Sequence, residues 1–170
     1  MKRIWAIFLI IGVVVVCHSQ SAENRYNSRM TRDGMLFFLM PHTIKDLSGL
    51  KKFEYDVTML SWSDSATVNF TFETTSLTVP TDLQIKYDGN VINCDSYSPL
   101  FVDIKKNHYE IRITSKFGVE EIESIFQSTT SPQFCFKQGD ELKSASYKPK
   151  AWAKDRKKLM DIIKLYLLSR

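Results

Sequence analysis

Two histidines and two cysteines carry the side chains best suited to chemistry in this sequence beyond its N-terminal segment. His42 and His108 are candidate general bases, and Cys94 and Cys135 are candidate nucleophiles, metal ligands or disulfide partners. None of the four stands in the paired spacing typical of zinc ligands, so the sequence predicts no metal site. A serine or cysteine nucleophile beside His108 remains open, because such triads assemble in space and not along the chain.

Most catalytic signatures are excluded by spacing. No two of the six glycines lie close enough for a dinucleotide-binding loop, a P-loop or a nucleophile elbow. The 19 acidic residues offer many carboxylate pairs for glycosidic chemistry, and the sequence selects none of them. We therefore expect no cofactor. The absence of a catalytic signature favours a non-enzymatic protein, with a small secreted hydrolase of dispersed active site as the alternative.

The N-terminal segment predicts export. Lys2 and Arg3 precede an apolar run from Ile4 to Val16, which is short for a membrane span and suits a secretory signal. We expect a signal peptide at residues 1–19, with cleavage after Ser19, and a periplasmic or extracellular protein. Cleavage after Ser21, an uncleaved anchor and lipid modification of Cys17 are the alternatives.

In an exported protein, the even pair Cys94 and Cys135 predicts one disulfide bond. Two separate buried thiols are the alternative, because free cysteine packs well in cores. The sequence cannot place the two Cα atoms within bridging distance.

Charge is divided unevenly along the chain. Residues 20–142 carry a net charge of −5, whereas residues 143–170 carry +7. The basic segment supplies a candidate basic surface at Lys150, Lys154, Arg156, Lys157 and Lys158. It is either a solvated helix face that complements the acidic body or a contact for an anionic membrane surface, a polyanion or an acidic partner. Nucleic acid is disfavoured, since no stacking aromatic residues accompany the basic ones.

The central element is a hairpin over Phe53–Glu73, in which apolar and polar residues alternate on both sides of a turn at residues 61–65. Two weak modification motifs lie here: the sequon Asn69-Phe70-Thr71, and Asp64-Ser65-Ala66, which resembles a bacterial O-glycosylation motif. Trp62 lies in the turn, where it either is an exposed contact residue or folds back on its strands.

Two further hairpins are predicted, and Cys94 lies on the apolar face of the first. Asp88-Gly89 predicts a type I′ turn that pairs Tyr87 with Asn90 and Leu83 with Cys94. A second hairpin turns at residues 105–108. Residues 34–40 predict a strand, and residues 20–32, polar and unpatterned, predict a mobile entry segment.

Helical spacing appears twice. A short helix is expected after Gly118, and a C-terminal helix follows Pro149 with an apolar arc. Seven residues form that arc: Trp152, Leu159, Met160, Ile162, Ile163, Tyr166 and Leu167. Arg156 lies inside it, and we expect its guanidinium to reach an acid on the body.

Together these elements predict an α+β fold. We expect an antiparallel sheet of seven to nine strands, curled into a sandwich or half-barrel, with two helices in a single domain at residues 33–170. A pocket lined by Phe37, Phe70, Phe72, Tyr109 and Phe134 would hold an apolar ligand. We therefore expect an exported binding or envelope-associated protein that takes an apolar ligand or a protein partner. For its basic C-terminal helix, a solvated face that complements the acidic body is favoured, and peripheral membrane contact is the alternative.

Overall fold

A computed structural model describes residues 25–94 and 96–170. The expected signal peptide at residues 1–19 lies outside the described residues. The chain forms two antiparallel sheets and two helices, which confirms the α+β fold class and the sandwich-like architecture. Eleven strands are present in the described ranges, more than the seven to nine expected.

The larger sheet, here called the large sheet, has six strands: β1 (Tyr26–Thr31), β2 (Gly34–Ile44), β4 (Lys52–Leu60), β5 (Ser65–Thr74), β8 (Tyr97–Lys105) and β9 (His108–Gly118). Their order is β1-β2-β4-β5-β9-β8, so β1 and β8 are its edges. The predicted central hairpin is β4–β5, with Val57 opposite Val68. It lies in the middle of this sheet.

The small sheet has five strands: β3 (Asp46–Ser48), β6 (Thr81–Tyr87), β7 (Asn90–Asn93), β10 (Gln133–Gln138) and β11 (Glu141–Ser146). Their order is β3-β11-β10-β6-β7. The β6–β7 hairpin has the expected register, with Tyr87 opposite Asn90. Asp88 and Gly89 have φ angles of 44° and 79°, as a type I′ turn requires.

The segment expected to be a mobile entry contains a strand. Tyr26–Thr31 pairs with β2 from Leu39 back to Gly34. An edge strand is held by backbone hydrogen bonds on one side, so it needs no apolar alternation. This is why the polar composition of residues 25–32 gave no strand signal.

The core lies between the large sheet and a second layer made of the small sheet and both helices, α1 (Val119–Gln127) and α2 (Pro149–Leu168). Phe134 of the small sheet packs 5.2 Å from Phe53 and 5.9 Å from Phe70, measured between ring centroids. On the helical side, Tyr166 meets Phe37 edge to face at 5.7 Å. Most of the predicted apolar arc of α2 is buried, and Leu167 is 41% exposed.

Candidate functional sites

The two cysteines form no disulfide bond in the described structure, and both are buried. Cys135 pairs with Gln84 of β6, whereas the backbone N–H of Cys94 donates to the carbonyl of Leu83. Leu83 is a core residue, so strand alternation places Cys94 on the core face of the small sheet and Cys135 on its outer face. Strand β6 separates them, and a bridge would require two strands to move.

His108 lies on the outer face of the large sheet, at the start of β9. Its Nε2 is 3.0 Å from an Oε of Glu73, and both side chains are about one-fifth exposed (23% and 21%). Lys105, in the same turn, pairs with Asp103. The partner of His108 is therefore a carboxylate in a row of surface charges.

His42 belongs to a more elaborate cluster, which joins five parts of the chain. The Asp155 carboxylate of α2 accepts hydrogen bonds from Arg25 at 2.9 Å and from the Tyr147 hydroxyl at 3.0 Å. The same oxygen lies 3.6 Å from Nε2 of His42. The Tyr147 hydroxyl also lies 2.7 Å from that of Tyr55. These five residues are here called the Asp155 cluster.

Burial sets the protonation of the Asp155 cluster. It lowers the pKa of His42 below its ordinary value of 6.5; Arg25 lowers it further, and Asp155 opposes both effects. Burial also raises the pKa of Tyr55 and of Tyr147 above the ordinary value of 10. At neutral pH the cluster thus holds a neutral imidazole, two protonated phenols and the ion pair of Arg25 with Asp155.

This arrangement resembles the orienting half of a catalytic triad without its nucleophile. In the described part of the chain, both imidazoles make their polar contacts with carboxylates, and His42 stacks on Tyr147 at 5.1 Å. Both phenols are poor nucleophiles because their pKa values are raised. What the cluster does is mechanical: it ties the residue before β1 to the C-terminal helix, 130 positions along the chain.

The sequence carried one signal of this cluster. Asp155 lies three residues after Trp152 and four before Leu159, so it falls on the apolar face of α2. A carboxylate in such a position needs a buried partner. Nothing local indicated that the partners would be Arg25 and Tyr147.

The expected aromatic pocket is filled. Phe37, Phe70, Phe72 and Phe134 are all buried, and the ring of Phe72 packs against that of Phe136 at a tilt of 43°, with 4.8 Å between the centroids. An apolar cavity between the large sheet and the helices, beside Tyr55 and Trp152, has a volume of about 10 Å³, the space of one water molecule. A larger groove of about 500 Å³ is open to solvent and lined by hydroxyl residues such as Ser98 and Thr114.

Strand β8 is the most exposed apolar element of the described sheets. All its residues between Ser98 and Ile104 are exposed, including Leu100 at 54%, Phe101 at 42%, Val102 at 40% and Ile104 at 76%. Its inner side is paired with β9, and its outer side is the edge of the large sheet. We call this edge with its four apolar side chains the β8 edge.

The candidate basic residues divide between exposed and half-buried positions on α2. Lys150, Lys154 and Lys157 are exposed, whereas Arg156 and Lys158 are half-buried. The Nε atom of Arg156 is buried without a hydrogen-bond partner among the described residues, and no ion pair with an acid was found there. Neither α1 nor α2 is long and apolar enough to span a membrane.

The two modification motifs lie on the central hairpin. Asn69 lies half-buried in the middle of β5, and its amide donates a hydrogen bond of 2.6 Å to Asp56 of β4. Ser65 is exposed at the start of β5, and the neighbouring Asp64 pairs with Arg170. Trp62 is 70% exposed, and its ring lies beside Gly34 at the start of β2.

Comparisons of the chain with protein families, with curated proteins and with solved structures found no match.

Proposed function

We propose that this is an exported, non-enzymatic binding protein that engages a protein partner along the β8 edge. The observation that carries the proposal is the combination of a free strand edge with four exposed apolar side chains. A monomer gains nothing in stability from large apolar groups in water, and contiguous exposed apolar surface usually marks an interaction site.

An extended partner segment is the occupant that this edge fits. Among the described residues no strand pairs with the outer side of β8, so its outward backbone N–H and C=O groups are open to an added strand. Val102 lies opposite Ile111 of β9, and Phe101 lies opposite Arg112, so Val102 and Phe101 point to different faces of the sheet. The alternate side chains of the partner strand then cover Val102 and Ile104 on one face and Phe101 on the other.

The remaining edges offer less. Strand β1 is polar apart from Met30, β3 has three residues and β7 has four. Strand β8 has nine residues and also carries features that restrict indiscriminate pairing. Pro99 lacks an N–H, the register shifts between Pro99 and Phe101, and Asp103 and Lys105 place charges near the end. Such an edge favours a matched partner over general aggregation.

A protein partner is also better supported than an apolar ligand or a substrate. The interior beside the aromatic residues has a cavity of only about 10 Å³, too small for a lipid or a hydrocarbon. In the described ranges the imidazoles of His42 and His108 contact Asp155 and Glu73, and neither contact supplies the nucleophile that a hydrolase of the triad type requires.

Site-specific photocrosslinking tests the proposal. A photoreactive amino acid replaces Ile104 in one sample and Leu142 in the control, since both side chains are similarly exposed, at 76% and 66%. In cells that produce the protein, position 104 should give one adduct of defined mass, and position 142 should not. Hydrogen exchange of the purified complex should show residues 97–105 newly protected, which is the signature of strand addition.

The outcomes separate the alternatives. Adducts at both positions, or none at position 104, contradict the proposal. An adduct with twice the mass of the chain would show that the partner is a second copy of this chain and not a different protein. If His42→Gln or His108→Gln abolishes hydrolysis of a supplied ester or peptide, the protein is an enzyme and the non-enzymatic proposal fails.

A further inference from the structure

The outward face of α2 combines uncompensated positive charge with apolar side chains at one end. At 100° per residue, six exposed residues fall within an arc of about 100°: Lys150, Lys154, Lys157, Lys164, Leu165 and Leu168. Asp161 is the one acidic residue in that arc. We call these six residues the α2 outer face.

The lysines of the α2 outer face do not neutralise the acidic body. Within the described ranges, none of the four forms an ion pair, although eight ion pairs of lysine or arginine with an acid occur elsewhere. Their positive charge is therefore directed at solvent. A helix face that merely complements the sheets would have placed some of these ammonium groups against Asp or Glu.

Apolar side chains gather where the C-terminal end of α2 meets the β4–β5 turn. Leu168 is 86% exposed and Leu165 is 43% exposed. The Tyr166 hydroxyl donates to the carbonyls of Leu60 and Ser63 at 3.3 Å and 2.9 Å, so the turn that holds Trp62 is fastened to the last turns of the helix. Trp62, 70% exposed, thus lies at the same end of the molecule.

We infer that the α2 outer face docks the protein on an anionic phospholipid membrane, with Leu165, Leu168 and Trp62 entering the interface. Lysines that flank exposed leucine and tryptophan are the composition of interfacial helices, because ammonium groups reach the phosphates while apolar groups enter the acyl boundary. A soluble acidic protein would explain the lysines but not the exposed Leu168 and Trp62. The helix is about 30 Å long, so its lysines span several lipid headgroups.

This docking mode leaves the β8 edge available. Residues of α2 contact β2 and the segment before β1, on one side of the large sheet, whereas β8 is the opposite edge. The inference does not depend on the partner proposed for β8. The two are tested by different variants.

Vesicle binding tests the inference. The exported form, residues 20–170, contains all of the described structure and is mixed with vesicles of 30% phosphatidylglycerol in phosphatidylcholine, or of phosphatidylcholine alone. We expect flotation with the anionic vesicles only, weakening as salt rises. Trp62 should report it: Trp152 is buried at 1% exposure, so a blue shift of the emission on binding comes from Trp62 and disappears in Trp62→Phe.

Two lysine variants of equal charge provide the matched control. Replacing the four lysines of the α2 outer face by glutamine should weaken vesicle binding by about tenfold or more, because each lysine near an anionic surface contributes appreciably. The control replaces four exposed lysines elsewhere in the fold: Lys45, Lys51, Lys86 and Lys106. It should bind nearly as well as the unmodified protein.

Leu168→Gln tests the apolar contribution without a change of charge, at a position that is 86% exposed and so too exposed to affect folding. It should reduce both vesicle binding and the blue shift of Trp62. If the two lysine variants lose vesicle binding equally, net charge alone determines binding and the inference is wrong. Binding to soluble polyphosphate without binding to vesicles would assign the face to polyanions and also overturns the inference. Ile104→Lys should leave vesicle binding unchanged.

Discussion

Replacing Asp155 by Asn should destabilise the fold strongly, because it removes the charge that the Asp155 cluster is built around. The carboxylate is 11% exposed and accepts hydrogen bonds from Arg25, which is 13% exposed, and from Tyr147. In the variant the guanidinium remains buried without an anion. Breaking a buried pair from one side typically costs about 3–5 kcal/mol.

This loss is a large share of a stability of about 5–15 kcal/mol. For a chain of this length it corresponds to a decrease in Tm of roughly 6–20 °C. Thermal unfolding followed by circular dichroism measures it. The control is Asp161→Asn, which makes the same change of charge on the exposed face of the same helix and should shift Tm by no more than about 2 °C.

Hydrogen exchange adds a local readout. Since Arg25 precedes β1, loss of the ion pair should increase exchange in residues 26–31 more than in the central strands β4 and β5. Equal small Tm shifts in Asp155→Asn and Asp161→Asn would refute the reasoning, because they would show that the buried contacts with Arg25 and Tyr147 contribute no net stability.

Three further predictions concern pH, the core and the thiols. Because the pKa of His42 is lowered in the folded state, the unfolded chain binds a proton at this residue more readily, and Tm should fall as pH decreases below about 6.5. His42→Gln should make this fall in Tm shallower. An unchanged slope would show that His42 is not its cause. Leu159 is 0% exposed, so Leu159→Ala should lower the free energy of unfolding in urea by about 2–5 kcal/mol. Leu165 is 43% exposed, so Leu165→Ala should lower it by less than about 1 kcal/mol. Similar losses in the two variants would show that the orientation of α2 is wrong. Since no disulfide joins Cys94 to Cys135, a reducing agent should leave Tm unchanged, and a decrease of several degrees would reveal a bridge.

Local pattern determined much of the architecture. The β4–β5 and β6–β7 hairpins follow from alternation and turn residues that lie within about 20 positions of one another. The apolar arc of α2 follows from helical spacing in the same way, and Leu159 and Ile163 are buried as that spacing predicts. In each case the contacts that fix the structure involve neighbours in sequence, so the sequence displays them.

The candidate sites depend on contacts that no local pattern displays. The exposure of β8 follows from its position at the edge of the large sheet, since alternation alone predicts Val102 and Ile104 to be core residues like Ile111 and Ile113. An interior strand has a neighbouring strand on each side, whereas an edge strand leaves one side open to solvent. Which strand lies at the edge depends on strand order, and strand order is decided by packing between distant segments.

The cysteines and the Asp155 cluster show the same limit. Alternation pairs Cys94 with Leu83 and turns Cys135 away from its neighbours Phe134 and Phe136, but only the order of β10, β6 and β7 shows that the two thiols lie on opposite faces of one sheet. The sequence analysis did not single out Asp155, although helical spacing places this acid on the apolar face of α2, and its partner Arg25 is 130 positions away. The sequence determined which groups require burial or pairing, and the tertiary structure decided which of them meet, because long-range pairing depends on how whole sheets and helices pack.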